Sequence, residues 1–212
     1  RINVVDNGGQ SWYNAMAVQF RHRFSAWMQV NANYTWGHAI NTLGSEGTSG
    51  SSNSVFFSGG PRTVFNGDYA FEKGSGAMDQ RHRFITNFIA TPKLTDRSTW
   101  FEKYVVDNWQ LSGIVTLASA QPDTATIFVS NNFAGSAFPT TLNGFGGSFR
   151  VPFWPLSSLD IDQVYRADLR VSKIVPLGER RSVYLNFEVF NATNTQSNSG
   201  VFNQAYTASN LI

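Results

Sequence analysis

Residues 26–36 read Ala26-Trp27-Met28-Gln29-Val30-Asn31-Ala32-Asn33-Tyr34-Thr35-Trp36. The even-numbered positions of this stretch are all apolar or aromatic, whereas four of its five odd-numbered positions are Gln, Asn or Thr. Successive side chains of a β-strand point to opposite faces of the sheet. The period of two therefore predicts a strand with one apolar face and one polar face.

The same alternation recurs toward the other end of the chain. Residues 165–172 and 182–189 each set four apolar or aromatic side chains against four mostly polar ones. A further candidate strand, residues 84–91, alternates less clearly, because Ile85 and Ile89 add apolar side chains to its second face. A fragment at residues 2–5 is the candidate for a short additional strand. We predict six strands, near residues 11–21, 26–37, 81–92, 108–119, 163–175 and 182–192.

The connections between these strands alternate in length. Two long segments, residues 38–78 and 121–162, are rich in Gly, Ser and Asn. The remaining connections are short or moderate, and the turn at residues 176–180 contains both Pro and Gly. Short turns at one end and long loops at the other are typical of outer-membrane barrels. The predicted fold is all-β, an antiparallel up-and-down meander with two long loops on one end, forming part of an outer-membrane-type β-barrel.

The composition supports this class and argues against others. Charged residues make up 14% of the chain and aromatic residues 15%, whereas soluble domains average about 25% charged residues. No run of apolar residues approaches the ~18 needed for a transmembrane helix. The net charge of +2 and the absence of a long basic patch give no reason to expect nucleic acid as a partner. The chain has no Cys, so neither disulfides nor thiolate metal sites are expected.

Aromatic residues fall at the predicted ends of the strands. Barrels in membranes carry two girdles of such residues at the lipid–water interfaces. The alternative is that these rings cap the core of a soluble β-sandwich. The predicted interfacial aromatic residues are Phe20, Tyr34, Trp36, Trp109 and Tyr165.

Several short segments, taken together in their order along the chain, resemble one known family. They are Ser11-Trp12-Tyr13-Asn14-Ala15-Met16-Ala17-Val18, Asn33-Tyr34-Thr35-Trp36, Asp79-Gln80-Arg81-His82-Arg83-Phe84, Asn108-Trp109-Gln110-Leu111-Ser112-Gly113-Ile114, Ala120-Gln121-Pro122, Arg166-Ala167-Asp168-Leu169-Arg170-Val171-Ser172-Lys173 and Glu188-Val189-Phe190-Asn191-Ala192-Thr193-Asn194. The chain resembles the C-terminal barrel strands of TonB-dependent outer-membrane receptors of the Oar-like, carboxypeptidase-regulatory-domain type.

The resemblance implies a barrel wall with two ligand-facing loops, in a receptor that imports large, scarce ligands with energy from the inner membrane. The plug domain and TonB box of such receptors have no counterpart in the quoted segments, so their functions are not carried over. The chain opens at Arg1 without Met or a signal peptide, and we expect it to be internal to a longer precursor.

One row of charges is predicted to line the hydrated interior of the barrel. A tight turn makes the last two predicted strands neighbours, which places Arg170 opposite Glu188. Arg166 and Asp168 lie on the same face, and we interpret the row as structural pairing rather than as a catalytic group. The predicted lumen charge ladder consists of Arg166, Asp168, Arg170 and Glu188.

The two long loops contain more aromatic residues than flexible Gly/Ser loops usually do. We predict that they pack as a cap over the barrel mouth or contact other chains, since no feature selects a ligand. These loop aromatic residues include Phe56, Phe57, Phe65, Tyr69, Phe138, Phe145, Phe153 and Trp154.

No catalytic, cofactor or metal site is predicted. His22, His38 and His82 lack partners at metal-ligand spacing, and isolated carboxylates such as Asp68 and Glu72 are interpreted as solvated loop residues or as incidental partners of cations. The repeated Arg-His-Arg-Phe at residues 21–24 and 81–84 is predicted to lie at opposite ends of the sheet.

Two partner classes remain open. Six strands are too few to close a barrel, so the edge strands need partners. These are either the remaining strands of a longer receptor in the outer membrane of a Gram-negative-type bacterium, with outer-membrane lipid around them, or copies of the chain itself. In the second case a receptor remnant would assemble into an extracellular fibre or tube.

Overall fold

A computed structural model describes residues 8–42, 68–95, 99–129, 147–151, 153–177 and 181–208. Its main feature is an antiparallel sheet in which six strands lie side by side in chain order. This confirms the predicted all-β antiparallel meander. The six strands are β1 (Ser11–Ser25), β2 (Met28–Asn41), β4 (His82–Ala90), β5 (Trp109–Ala118), β10 (Val164–Pro176) and β11 (Ser182–Val189).

Six shorter strands lie within or beyond the segments that were predicted as loops. Among them, β3 pairs with β2, β6 pairs with β9, and β7 lies between β12 and β8. The β12–β7 pair is parallel, so the loops contain more ordered structure than their Gly- and Asn-rich composition predicted. These strands are β3 (Gly74–Ser75), β6 (Gln121–Asp123), β7 (Thr126–Val129), β8 (Gly147–Arg150), β9 (Leu159–Ile161) and β12 (Gln204–Ala208).

The predicted strand limits differ from the observed ones by a few residues. β1 and β2 are both longer than predicted, reaching Ser25 and Asn41. β11 ends at Val189, three residues before the predicted limit. Asn191 follows with a backbone φ of 52°, which is a left-handed conformation that Asn tolerates and that ends strand pairing. The proposed fragment at residues 2–5 lies outside the described residues.

The pairing register keeps each face of the sheet uniform across the strands. Directly opposed residues of an antiparallel pair point to the same face. Met16 therefore lies beside Trp36 on one face, and Gln19 lies beside Asn33 on the other. The register of β4 also resolves its ambiguous alternation, because Ile89 pairs with Gln29 and so belongs to the polar face.

The apolar face of this sheet is exposed, not packed under a second layer. Among the described residues, the buried apolar side chains are four small ones, Ala90, Ala118, Ala125 and Val151. A soluble β-sandwich would bury its large apolar residues between two sheets. We call the exposed outward side chains the apolar band: Met16, Val18, Phe20, Leu111, Leu117, Tyr165, Leu185, Phe187 and Val189.

The two ends of the sheet differ, as the connection lengths predicted. At the turn end, Ala26 and Trp27 join β1 to β2, and the Leu177 N–H donates to Arg181 O at 2.7 Å below β10 and β11. A short helical segment lies between β4 and β5 at the same end; it begins at Trp100 and continues as the π-helix Glu102–Val106. No helix among the described residues has the length and apolar character needed to cross a membrane. The long connections lie at the opposite end, the loop end.

Candidate functional site

The predicted charge row lies on the polar face of β10 and β11. Arg170 is opposed to Glu188 in the register, as predicted, and their side chains form an ion pair of 2.7 Å. Arg166 instead pairs along its own strand, with its Nε 2.9 Å from Asp168 Oδ2. Asp168 Oδ1 also accepts a hydrogen bond of 2.8 Å from the Asn191 N–H. The row is thus one cross-strand pair and one pair that anchors the turn after β11, not a continuous ladder.

The ion pair between Arg170 and Glu188 is expected to contribute little to the stability of the fold. About half of the Arg170 side chain and a third of the Glu188 side chain are exposed, and exposed ion pairs contribute only about 0.2–1 kcal/mol. A double-mutant cycle with Arg170→Gln and Glu188→Gln should therefore give a coupling free energy within that range. Equilibrium unfolding from lipid vesicles measures it. A coupling several times larger would mean that water does not reach this face.

The predicted interfacial aromatic residues fall at both ends of the sheet. Tyr34 and Trp36 lie on β2 toward the loop end, where Tyr34 Oη is 2.8 Å from His82 Nδ1. Trp109 begins β5 at the turn end, and its Nε1 donates to Val105 O at 2.9 Å. Tyr165, paired with Leu117, belongs to the loop end, and Phe20 lies toward the turn end of β1. Their placement in membrane interfaces stays a prediction.

The repeated Arg-His-Arg-Phe segments lie at opposite ends of the sheet, as expected. His22 is near the turn end, with its ring centroid 6.0 Å from Phe20 and 4.5 Å from Phe24. His82 opposes Trp36 near the loop end. The two copies therefore do not form a joint site.

Glu72 contacts a cation, which is the second of the two interpretations of the loop carboxylates, and it is not solvated. It is fully buried, and its Oε2 accepts a hydrogen bond of 2.7 Å from Arg150 Nε. Arg150 is also buried, and it donates to the backbone oxygens of Phe71 and Trp154 at 3.0 Å each. Its guanidinium lies 4.4 Å from the centroid of the Phe71 ring. One arginine thus joins the segment before β3 to the end of β8.

Further contacts join the same segments at the loop end. Ser157 Oγ donates to Ser75 O at 2.5 Å, and the Ser157 N–H donates to Thr124 Oγ1 at 3.0 Å. Gly74 allows the close approach of Leu156, because a Cβ there would be 2.4 Å from Leu156 Cδ2. We call the described residues 68–81, 119–129, 147–151, 153–163 and 191–208 the loop cap.

The C-terminal part of the loop cap is joined to β7. The Thr126 N–H donates to Asn203 O at 2.7 Å, and Asn203 Nδ2 donates to the Asp123 carboxylate at 3.3 Å. These bonds hold the start of β12 beside the start of β7. The sequence showed no local pattern for this parallel pairing.

Some of the predicted loop aromatic residues pack within the loop cap. The Phe153 and Trp154 ring centroids lie 5.8 and 6.3 Å from that of Tyr206. The Tyr69 ring lies against Gly8, where a Cβ would be 2.3 Å from its Cε2. The other loop aromatic residues of that prediction lie outside the described residues: Phe56, Phe57, Phe65, Phe138 and Phe145.

Asp79 forms a second polar cluster where the loop cap meets the strands. Its Oδ1 accepts a bond of 2.9 Å from the Ala39 N–H, and its Oδ2 lies 2.9 Å from Arg81 and 3.2 Å from His38. Burial would raise the pKa of Asp79. The hydrogen bonds from Ala39, Arg81 and His38, with the charge of Arg81, outweigh burial and hold that pKa below its ordinary value.

This cluster predicts an acid-dependent loss of stability. Because the folded-state pKa of Asp79 is lowered, its ionised form stabilises the fold above about pH 4, and this contribution is lost as the pH falls through the folded-state pKa. Asp79→Asn should therefore lower the melting temperature at pH 7, and the gap from wild type should close toward pH 2. Thermal unfolding at both pH values measures the gap. A difference in melting temperature that is the same at both pH values would mean that the ionised form of Asp79 does not stabilise the fold.

The described residues do not bring together a group of side chains that could hold a metal ion. No three His, Cys, Asp or Glu side chains come together there as metal ligands. The geometry instead provides a wall with distinct faces and a hydrogen-bonded cap at one end. What it can do chemically is separate an apolar environment from a polar one.

Comparison with known proteins gives one family. A family model described as an outer membrane beta barrel domain matches residues 1–211. No curated protein and no solved structure matches the chain.

Proposed function

The chain belongs to the outer membrane beta barrel domain family, and from that premise we propose that it is the C-terminal wall segment of a TonB-dependent receptor. Its place in the outer membrane follows from the family. The two-faced sheet carries the proposal, because an exposed apolar face opposite a polar one suits a wall between lipid and a hydrated lumen.

The apolar band is the part of this wall that would contact lipid. Phe187 and Leu185 are 69% and 58% exposed, although β11 is paired with β10 along its whole length. Side chains of this kind favour an apolar surrounding by about 1.5–3 kcal/mol each when fully buried. Lipid acyl chains provide that surrounding, so the energetic cost of the exposed face disappears in a membrane.

The two edges of the sheet support the idea that further strands complete the wall. β1 and β11 lie at the ends of the strand order. Backbone groups left unpaired in hydrocarbon cost several kcal/mol each, so barrels in membranes leave no open edge. In the proposed receptor, the remaining barrel strands pair with these two edges.

The finer assignment to TonB-dependent receptors rests on the quoted sequence segments and on the loop cap. Two residues of these segments have structural roles here: Asp79 accepts a hydrogen bond from the Ala39 N–H where the loop cap meets the strands, and Asn191 turns the chain after β11. We propose that the loop cap presents the ligand-facing surface and that the charge row lines the lumen. No feature of the described residues supports catalysis.

Membrane fractionation and intact mass test the proposal together. Cells that carry the gene should show the protein in the outer-membrane fraction, in a polypeptide several-fold larger than 23.5 kDa. Uptake of its ligand should stop when the proton gradient of the inner membrane is collapsed. A barrel that transports equally well without that gradient would contradict the receptor assignment but not the family.

The sheet edges favour a second candidate function. β1 and β11 run in opposite directions at the two edges, so β11 of one copy can extend antiparallel onto β1 of the next. Such a head-to-tail contact closes into rings or grows into filaments. In this case the chain is a receptor remnant that assembles into an extracellular fibre or tube.

Intact mass and electron microscopy separate the two candidates. A species of 23.5 kDa that forms polymers in the extracellular fraction would favour self-assembly. A much larger polypeptide that stays in membranes as single barrels would favour the receptor.

A further inference from the structure

The helical segment between β4 and β5 has a defined start. Thr99 donates to Glu102 Oε2 through its N–H at 3.2 Å and through its Oγ1 at 2.6 Å. The Glu102 N–H in turn donates a hydrogen bond of 3.4 Å to Thr99 Oγ1. This reciprocal pattern is a capping box, which fixes where a helix begins and therefore which side chains share a face.

One face of this segment is apolar and exposed. The segment winds more widely than an α-helix, because the Asp107 N–H donates to Glu102 O. Residues four positions apart still lie close together in such a turn, so Trp100, Phe101, Tyr104 and Val105 share one side. Trp100, Phe101 and Val105 are 72%, 57% and 45% exposed. The Trp100 and Tyr104 ring centroids are 5.8 Å apart. The segment thus presents an exposed apolar side at the turn end of the sheet.

The contacts of this helix place it beside the apolar band. Val105 O accepts hydrogen bonds from Trp109 Nε1 at 2.9 Å and from Lys173 Nζ at 3.1 Å. Trp109 and Lys173 are opposed in the register, and Lys173 is also opposed to Leu185, which belongs to the apolar band. The helix therefore adjoins the outward face of the sheet at its turn end.

Lys173 carries a charge on the apolar face of the sheet, close to this helix. It is buried, its Nζ also donates to Asp107 O, and it lies 4.9 Å from the centroid of the Trp109 ring. The ammonium group is thus directed toward backbone oxygens of the connection at the turn end. Lysines at the edge of a bilayer direct their charge toward the interface in this way.

We propose that the apolar side of the Trp100–Val106 helix lies in the phospholipid headgroup region at the turn end of the barrel and anchors the wall at that depth. The inference rests on the proposed barrel function. Its basis is the continuity of the helix with the apolar band. Trp and Tyr favour this interfacial region, and amphipathic helices bind it through their apolar face.

Depth-dependent fluorescence quenching tests the anchor on the full chain in vesicles of phosphatidylethanolamine and phosphatidylglycerol. The chain has no Cys, so single substitutions accept one bimane label each. Spin-labelled lipids quench either near the headgroups or deep in the acyl chains. A label at Phe101→Cys should lose more intensity to the shallow quencher, and one at Leu185→Cys should lose more to the deep quencher. Met78 is 88% exposed at the loop end, and a label at Met78→Cys should lose little to either.

The outcomes distinguish the anchor from the barrel itself. One outcome is that the Phe101 label is quenched as weakly as the Met78 label while the Leu185 label is quenched by the deep quencher. This result would contradict the proposed interfacial anchor but not the proposed barrel. Weak quenching at all three positions overturns both. Val105→Cys repeats the measurement on the same helix face, so the result does not depend on the folding of one variant.

Discussion

Replacing Glu72 with Gln is expected to destabilise the loop cap by about 3 kcal/mol, since removing one partner of a buried ion pair typically costs 3–5 kcal/mol. Arg150 would keep its charge in a buried site and lose its only described carboxylate partner. Hydrogen exchange of the β7, β8 and β12 amides measures the change. These amides should exchange more than 100-fold faster, whereas those of β1 and β2 should change little.

Two controls make this expectation specific to the buried charge. Asp162, which is exposed and accepts hydrogen bonds from Asn198, gives a matched loop carboxylate, and Asp162→Asn should change exchange by less than 10-fold. The double variant Glu72→Leu with Arg150→Met removes both charges and should recover much of the loss. If Glu72→Gln exchanges like wild type, the ion pair does not hold the cap together.

The sequence predicted the long strands and the charge pair because both depend on local patterns. Alternation over eight residues is enough to assign the faces of β11, and a shift of one residue would reverse every side chain. The short connection between β10 and β11 then leaves one register that keeps both apolar faces together. Arg170 and Glu188 meet for that reason.

The loop cap was not predictable in the same way. Glu72 and Arg150 are separated by 78 positions, and no periodicity links segments that far apart. The Thr126-Ile127-Phe128-Val129 run has the composition of a strand. Its parallel partner, β12, comes after β11, so the sequence alone does not show where β7 finds its hydrogen bonds.

The helix at the turn end was not predicted, although its first residues carry a local sequence signal. Thr99-Trp100-Phe101-Glu102 matches the capping-box pattern. The connection between β4 and β5 was predicted only as one of short or moderate length, and the segment is too short for helical periodicity to stand out. The position of its apolar side beside the apolar band could not be predicted, because it depends on the contacts of Val105 in the folded chain.

The strongest test of the wall is a charge placed on its apolar face. Phe187, 69% exposed, is the position to change, and Phe187→Arg should reduce the free energy of unfolding from vesicles by about 2–4 kcal/mol if the residue lies near the bilayer midplane. Asn186→Arg adds the same side chain one position earlier, on the polar face, and should cost less than about 1 kcal/mol, since the charge then enters a hydrated lumen. Equilibrium unfolding in guanidinium measures both. Equal costs for the two variants would mean that the alternation of β11 does not separate lipid from water, and the wall itself would have to be abandoned.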